Sequence, residues 1–243
     1  MQISKCCYVI YGLVTISPWV VNAGFIVGNK KTLIVDTGTN YLSAQTIFGY
    51  AKSVKPENEL IVINTEPHFD HVGGNCFFKE MNIDIYGHKD INRTDIELRE
   101  TISAYNESIT DEYRKEIHEE NLIFLKTKVV NPNLKIESDF NIDLGEINAE
   151  VFLTPGHTKM NLSIYIPYEN VVFCGDTLIS GYYPNMEDNT VENLKSWLSS
   201  INKISSCNPK IIVPGHGEIL QGKNMNSEII RIKTILSNSL GEL

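Results

Sequence analysis

The 243-residue chain is predicted to fold as a layered α/β protein, on three observations. Short, continuously apolar, β-rich runs recur along it. Five of them end in a polar residue suited to chemistry, and amphipathic helical stretches fill the gaps between runs. Composition agrees with an ordinary globular chain, at 42% hydrophobic and 21% charged residues. No repeat, low-complexity tract or Pro/Gly/Ser linker divides it, so residues 1–243 read as one domain with room for a large core.

The N-terminus has two readings. Lys5, the apolar run from Cys6 to Ile16 and then Val21-Asn22-Ala23 have the outline of a secretory signal. Against this, Tyr8-Val9-Ile10-Tyr11 is rich in β-formers, and Asn22 to Val27 runs into a turn at Gly28-Asn29-Lys30-Lys31. Two core strands are therefore expected. The next runs are Thr32–Val35, ending in Asp36-Thr37-Gly38, and Leu60–Ile63, ending in Asn64-Thr65-Glu66-Pro67-His68. Val151–Leu153 ends in Thr154-Pro155-Gly156-His157, Val171–Cys174 in Gly175-Asp176, and Ile211–Val213 in Pro214-Gly215-His216. Strands buried on both faces present functional groups from their terminal loops, so five such endings suggest one shared edge.

Helices are expected at about 40–54, capped by Asn40, and about 226–240, capped by Ser227. Asn189-Thr190-Val191-Glu192 reads as a capping box ahead of an apolar stripe of Leu194, Trp197, Leu198, Ile201 and Ile204. A helical insertion spans about 89–124. Its charged, weakly amphipathic core from Arg93 to Glu120 is either a solvated helix pair or a lid over the site.

Net charge is −9 and no dense Lys/Arg run occurs, which argues against nucleic acid or an anionic membrane as partner. No run is long and apolar enough to span a bilayer. The five cysteines form no CxxC pair, so neither a disulfide framework nor a cysteine zinc site is indicated, and reduced thiols in a cytoplasm fit best.

Chemistry concentrates in Thr65-Glu66-Pro67-His68-Phe69-Asp70-His71-Val72-Gly73-Gly74-Asn75. Glu66, His68 and Asp70 sit at i, i+2 and i+4, and an extended backbone would aim all three one way while His71 diverges. Burying so many ionisable groups without a metal would be costly. His157, Asp176 and His216 follow singly at later strand ends. His88 and His118 stand outside this pattern and read as surface or satisfied structural histidines.

These residues resemble the metallo-β-lactamase-fold hydrolases, whose signature is HxHxDH, then a separate His, a bridging Asp and a last His. Here the pattern stands as Glu66-Pro67-His68-Phe69-Asp70-His71, His157, Asp176 and His216, and Val21-Asn22-Ala23-Gly24-Phe25 and Asp36-Thr37-Gly38 match as well. The resemblance implies an α+β four-layer αββα sandwich. It also implies two divalent metal ions, zinc first, with iron or manganese also suited to nitrogen and carboxylate donors. One metal would take Glu66, His68 and His157; the other would take Asp70, His71 and His216, with Asp176 bridging. A metal-bound hydroxide would attack the substrate, with Asp70 as the catalytic residue that orients the nucleophile and handles a proton. Asp36 is either a residue that orients a ligand from behind or a turn-forming Asp before Gly38.

The chain departs from that pattern at Glu66, where the family's first motif residue is His. A carboxylate there makes a two-metal hydroxide site formally neutral instead of singly positive. That should raise the bound-water pKa, disfavour anionic substrates and relax the preference for zinc. The alternative is that Glu66 does not ligate. Among relatives, true zinc β-lactamases most like the His157-to-Asn161 segment carry Cys where Asp176 stands and a Lys soon after, which Thr177-Leu178-Ile179-Ser180 lacks. Thioester-cleaving glyoxalase II relatives share the bridging Asp but append a helical substrate domain. The expected activity is hydrolysis of a small ester, thioester or lactone. A β-lactam hydrolase and an iron-binding redox protein are the alternatives. Tyr182, Tyr183 and Asn161 are the candidate substrate contacts, with ordinary loop packing as the other reading of the tyrosines.

Overall fold

The computed structural model describes residues 1–13, 20–108, 123–186 and 190–242. Two six-stranded mixed sheets face each other. The first runs in spatial order β1 (Cys7–Ile10), β2 (Ala23–Val27), β3 (Lys31–Val35), β4 (Glu59–Ile63), β5 (Ile85–His88) and β6 (Leu134–Ile136). The second contains β7 (Phe140–Asp143), β8 (Asn148–Leu153), β9 (Leu162–Ile166), β10 (Val171–Phe173), β11 (Ile211–Val213) and β12 (Leu220–Gln221), with β7 and β12 at its edges. The N-terminal segment forms strands as expected: β1 pairs with β2, and Gly28 closes the next hairpin by donating to the Lys31 carbonyl at 2.9 Å. Part of that apolar run, residues 14–19, lies outside the described residues.

Side-chain alternation builds the layers. Leu33, Val35, Ile61 and Ile63 point inward against Val151, Ile164, Val171 and Phe173 of the facing sheet. Their neighbours Ile34, Leu60 and Val62 point outward, onto Ala44, Ile47 and Ala51 of α1 (Tyr41–Val54) and onto Phe77 and Phe78 of α3 (Asn75–Glu80). On the far side, Leu194, Trp197, Ile201 and Ile204 of α5 (Val191–Ser206) and Ile232 and Leu236 of α6 (Gly222–Glu242) cover Val172 and Ile212. Each face of each sheet is buried, which explains why the strands read as unbroken apolar runs. The order helix, sheet, sheet, helix is the αββα sandwich.

Asn40 caps α1 as expected, its side chain accepting from the Ser43 amide at 2.8 Å. Two expected caps are corrected. Thr190 caps α5 by accepting from the Asn193 amide, whereas Asn189 falls outside the described residues. Ser227 lies within α6, its hydroxyl donating back to the Lys223 carbonyl, because the helix begins at Gly222 directly after β12. The first half of the insertion is helix α4 (Asp95–Ser108); residues 109–122, including His118, lie outside the described residues. No helix among the described residues is long and apolar enough to cross a membrane.

Strand direction decides where the chemistry gathers. β3 and β4 are parallel neighbours. In the facing sheet β10 runs parallel to β11, and two antiparallel steps through β9 bring β8 into the same direction. The strand-end loops carrying Asp36, Glu66, His157, Asp176 and His216 meet at one end of the sandwich, as their contacts below show.

Candidate metal centre

Glu66 and His68 lie in the loop after β4, and Asp70 and His71 sit on α2 (Phe69–Val72), a single helical turn. The extended course expected through Asp70 is therefore corrected. His68 still has extended angles, φ −65° and ψ 148°, but the chain coils directly after it. Successive residues on a helix diverge by about 100°, so Asp70 and His71 face different neighbours. Gly73 follows the turn at a position where no side chain fits: a Cβ would lie 1.9 Å from the Thr39 carbonyl oxygen. Asp176 occupies a 3₁₀ turn, Gly175–Thr177, after β10.

The seven expected ligands come together. Glu66 and His71 are fully buried, and His157, Asp176 and His216 are nearly so. One group comprises Glu66, His68 and His157: His68 Nδ1 lies 3.3 Å from Glu66 Oε1, and His157 Nε2 lies 3.4 Å from Glu66 Oε2. The second comprises Asp70, His71 and His216, with His216 Nε2 3.1 Å from Asp70 Oδ2. Asp176 faces both, its oxygens 3.4 Å from His71 Nε2, 3.5 Å from His157 Nε2 and 3.4 Å from His216 Nε2. Glu66 faces both as well, since its Oε1 is 3.0 Å from His71 Nε2, and Glu66, His71 and Asp176 make a third candidate group. That double role was not visible in the sequence.

The donor set fits divalent cations. Glu66 Oε1, His71 Nε2 and Asp176 Oδ1 are buried atoms that crowd together at 3.0–3.4 Å without a well-aligned hydrogen bond, and they converge on one point. Orphaned polar atoms are expensive in a folded interior unless something binds them. Three histidines are also fixed from behind. His71 Nδ1 meets Asp36 Oδ2 at 2.9 Å, His157 Nδ1 meets the Asn185 carbonyl at 3.0 Å, and His216 Nδ1 meets the Val20 carbonyl at 2.8 Å. With Nδ1–H donating outward, each Nε2 lone pair is turned inward, the arrangement that supports metal ligands. The two backbone carbonyls had no sequence signal.

Asp36 satisfies both of its sequence readings at once. It adopts a left-handed φ of +60°, and its carboxylate accepts from the Thr65 amide and hydroxyl, both at 2.7 Å, as well as from His71. Asn161, expected to reach substrate, is corrected: it is fully buried and donates to Glu66 Oε2 at 3.3 Å, while its own oxygen accepts from Thr158. His88 is a satisfied structural histidine at the end of β5, nearly buried, with Nδ1 accepting from the Asp90 amide.

Electrostatics point the same way. Burial alone would raise the carboxyl of Glu66, but His68, His157 and His71 outweigh it and hold it well below the usual range. Asp70 and Asp176 are likewise held low against burial, chiefly by His71 and His216 respectively. Burial would lower His216, yet Asp176 and Asp70 push it up to about 11, and Glu66 and Asp36 do the same in direction for His71. The carboxylates demand positive charge at their centre, and metal ions can replace the protons that otherwise supply it.

Above this floor opens a cavity of ≈ 500 Å³, lined by ligands and by Phe69, Arg93, Ile179, Tyr182 and Tyr183 among others. α4 forms part of its wall: Leu98 packs on Phe69 and Val72, and Thr101 lines the space. Arg93 was not singled out in the sequence.

The family model for the metallo-beta-lactamase superfamily matches residues 16–216, across both sheets and every candidate ligand. The chain belongs to that superfamily. It is similar to a beta-lactamase-like protein 2 homolog of Caenorhabditis elegans, 28% identical over 78% of this chain and 53% of that protein. It is also similar to a hydroxyacylglutathione hydrolase of Legionella pneumophila, 30% identical over 32% of this chain and 30% of that enzyme. The chain thus spans about half or less of the length of these curated relatives. A metallo-beta-lactamase from Pontibacter korlensis has the same fold, with a TM-score of 0.68, 19% identity and 98% of each chain covered.

Proposed function

We propose that the protein is a dinuclear metal-dependent hydrolase acting on a small ester, thioester or lactone in a reducing, cytoplasmic compartment. The carrying observation is the pair of three-residue groups, bridged by Glu66 and Asp176, at the base of a cavity of ≈ 500 Å³. Two divalent cations, zinc first, would supply Lewis acidity for activating water and polarising the substrate carbonyl there. The chain's own residues do the rest. His71, His157 and His216 are oriented by fixed acceptors, so the donor geometry is set before anything binds. Asp70, at the cavity surface and 3.1 Å from His216, is placed to orient a nucleophile and carry its proton. Phe69 and Ile179 give the cavity apolar walls that suit a small acyl group.

Support for an acyl substrate comes from the bridging Asp176 where a β-lactamase-like site would carry Cys, and from the similarity to a hydroxyacylglutathione hydrolase. Five free cysteines, four of them buried, support a reducing compartment. The test is a turnover screen of the as-isolated protein over esters, thioesters, lactones and β-lactams, with elemental analysis and an absorption spectrum. Zinc or another divalent metal near two per chain with acyl turnover is the expected result. Turnover of β-lactams alone, or an iron chromophore with redox activity and no hydrolysis, overturns it.

A further inference from the structure

We infer that Arg93 is a specificity-determining residue, and that the preferred substrate carries a single carboxylate beside its scissile ester, thioester or lactone group. The inference rests on the hydrolase reading above and deepens it. Among the described residues lining the cavity, Arg93 is the sole lysine or arginine. Its guanidinium lies over the ring of Phe69, 4.9 Å from the centroid, and Phe69 stands between His68 and Asp70 in the sequence. The cation therefore sits against the metal loop itself.

Its position is built. Both backbone groups of Arg93 are tied to one side chain: its amide donates to Asn131 Oδ1 at 2.7 Å, and its carbonyl accepts from Asn131 Nδ2 at 3.0 Å. Glu97 fixes the head group, with Oε1 at 3.1 Å from Arg93 Nη1. The other Glu97 oxygen closes a capping box at the start of α4, accepting from the Thr94 amide at 2.7 Å and the Thr94 hydroxyl at 2.8 Å. One edge of the guanidinium is therefore engaged, while Nε is buried with no hydrogen-bond partner. A buried donor left unsatisfied in the native state calls for an acceptor.

The chemistry of that acceptor follows. A carboxylate would meet Nη2 directly and reach the shielded Nε beside it through a small turn of the side chain, because that edge presents two parallel N–H groups that a planar carboxylate matches with two bonds. Glu97 already offsets part of the cation's charge, so one further negative charge is accommodated better than the two of a phosphate monoester. Arg93 also answers the charge argument drawn from Glu66. A two-metal site made formally neutral by Glu66 would give an anionic substrate little attraction, and the cation on the wall would supply what the floor does not.

The test uses matched pairs: succinyl and butyryl thioesters of one thiol, with the carboxylate also moved to the thiol side, and the inert pair succinamate and butyramide for direct binding by calorimetry. In the wild type, the carboxylate member of at least one substrate pair should have the higher kcat/KM, by about tenfold or more and mostly through KM. Arg93→Gln should erase that ratio, Arg93→Lys should restore part of it, and circular dichroism checks folding. Glu97→Gln should move it the other way: glutamine still closes the capping box but no longer neutralises the guanidinium, so KM for the anion falls a few-fold. Thioester turnover with a ratio near one in both wild type and Arg93→Gln overturns the inference and leaves the hydrolase reading standing. Absent turnover with an Arg93-dependent preference for succinamate does the reverse, and absence of both overturns both.

Discussion

The floor and the wall of the cavity are made differently. Floor residues follow strand ends and are mostly buried, and several are held from remote parts of the chain: His71 by Asp36, His216 by the Val20 carbonyl, Glu66 by Asn161. The polar wall residues Arg93 and Tyr182 are partly exposed: Arg93 rests on Glu97, four residues on, and on Asn131, and the Tyr182 carbonyl is held by Arg231 of α6. Burial is greatest where metal geometry needs a fixed frame, and exposure is greatest at the tyrosines of the wall. Damage to the floor should therefore appear in metal content and kcat, and damage to the wall in KM.

The largest effect is expected from Asp176→Ala. That residue faces histidines of both groups, so its loss should drop turnover to background and lower metal at both positions, read by elemental analysis alongside rate. Two metals per chain with normal turnover would erase the distinction between floor and wall. Asp36→Asn is next. The amide can still accept from Thr65 but loses the charge that raises His71, and a cost of about 10–100-fold in metal affinity or rate is expected.

Glu66 sharpens the comparison further, because it carries charge on the floor. Glu66→His should tighten zinc and move the acidic limb of the pH–rate profile to lower pH, whereas Glu66→Gln should weaken metal binding while retaining an oxygen. An unchanged limb and stoichiometry in the His variant would remove Glu66 from the ligand set.

In the metal-free protein, Asp176 and Asp70 push His216 up to about 11, and Glu66 and Asp36 raise His71 in the same direction. A protonated imidazole cannot ligate, so metal must displace these protons. Zinc affinity should rise with pH across the neutral range, with protons released on binding. Calorimetry in buffers of different ionisation enthalpy reads this directly, and a pH-independent affinity would refute it. The smallest effect belongs to the wall. Arg231 donates to the Tyr182 carbonyl at 2.9 Å and pairs with Glu228 at 2.9 Å, so Arg231→Lys should loosen the Ile179–Tyr183 segment and raise KM about two- to threefold with kcat nearly kept. A kcat loss matching that of Asp36→Asn would show that wall and floor are one mechanical unit.

The legible part of the molecule was the part with local signals. β3, β4, β8, β10 and β11 could be read because burial on both faces makes a strand continuously apolar, and a ligand after such a run stands out. Asn40 could be read as a cap because its hydrogen bond reaches only three residues along the chain. α2 could not, since a single turn is too short to show a helical period. Asn161 was misplaced for a similar reason: proximity in sequence to His157 said nothing of which way it faced, and it turned to Glu66, 95 residues earlier.

The sequence by itself determined which strands are buried, where their polar ends fall, and the identity of seven metal-type side chains, because hydrophobic periodicity and ligand chemistry are local properties of residues. Tertiary structure alone decided that Glu66 faces both groups, that backbone carbonyls of Val20 and Asn185 hold two of the histidines, and that Arg93 leans on Phe69 over the metal loop. Those contacts join segments separated by up to 196 residues, and any residue can supply a carbonyl. They carry no signature in the chain, and exist only once two sheets bring their strand ends together.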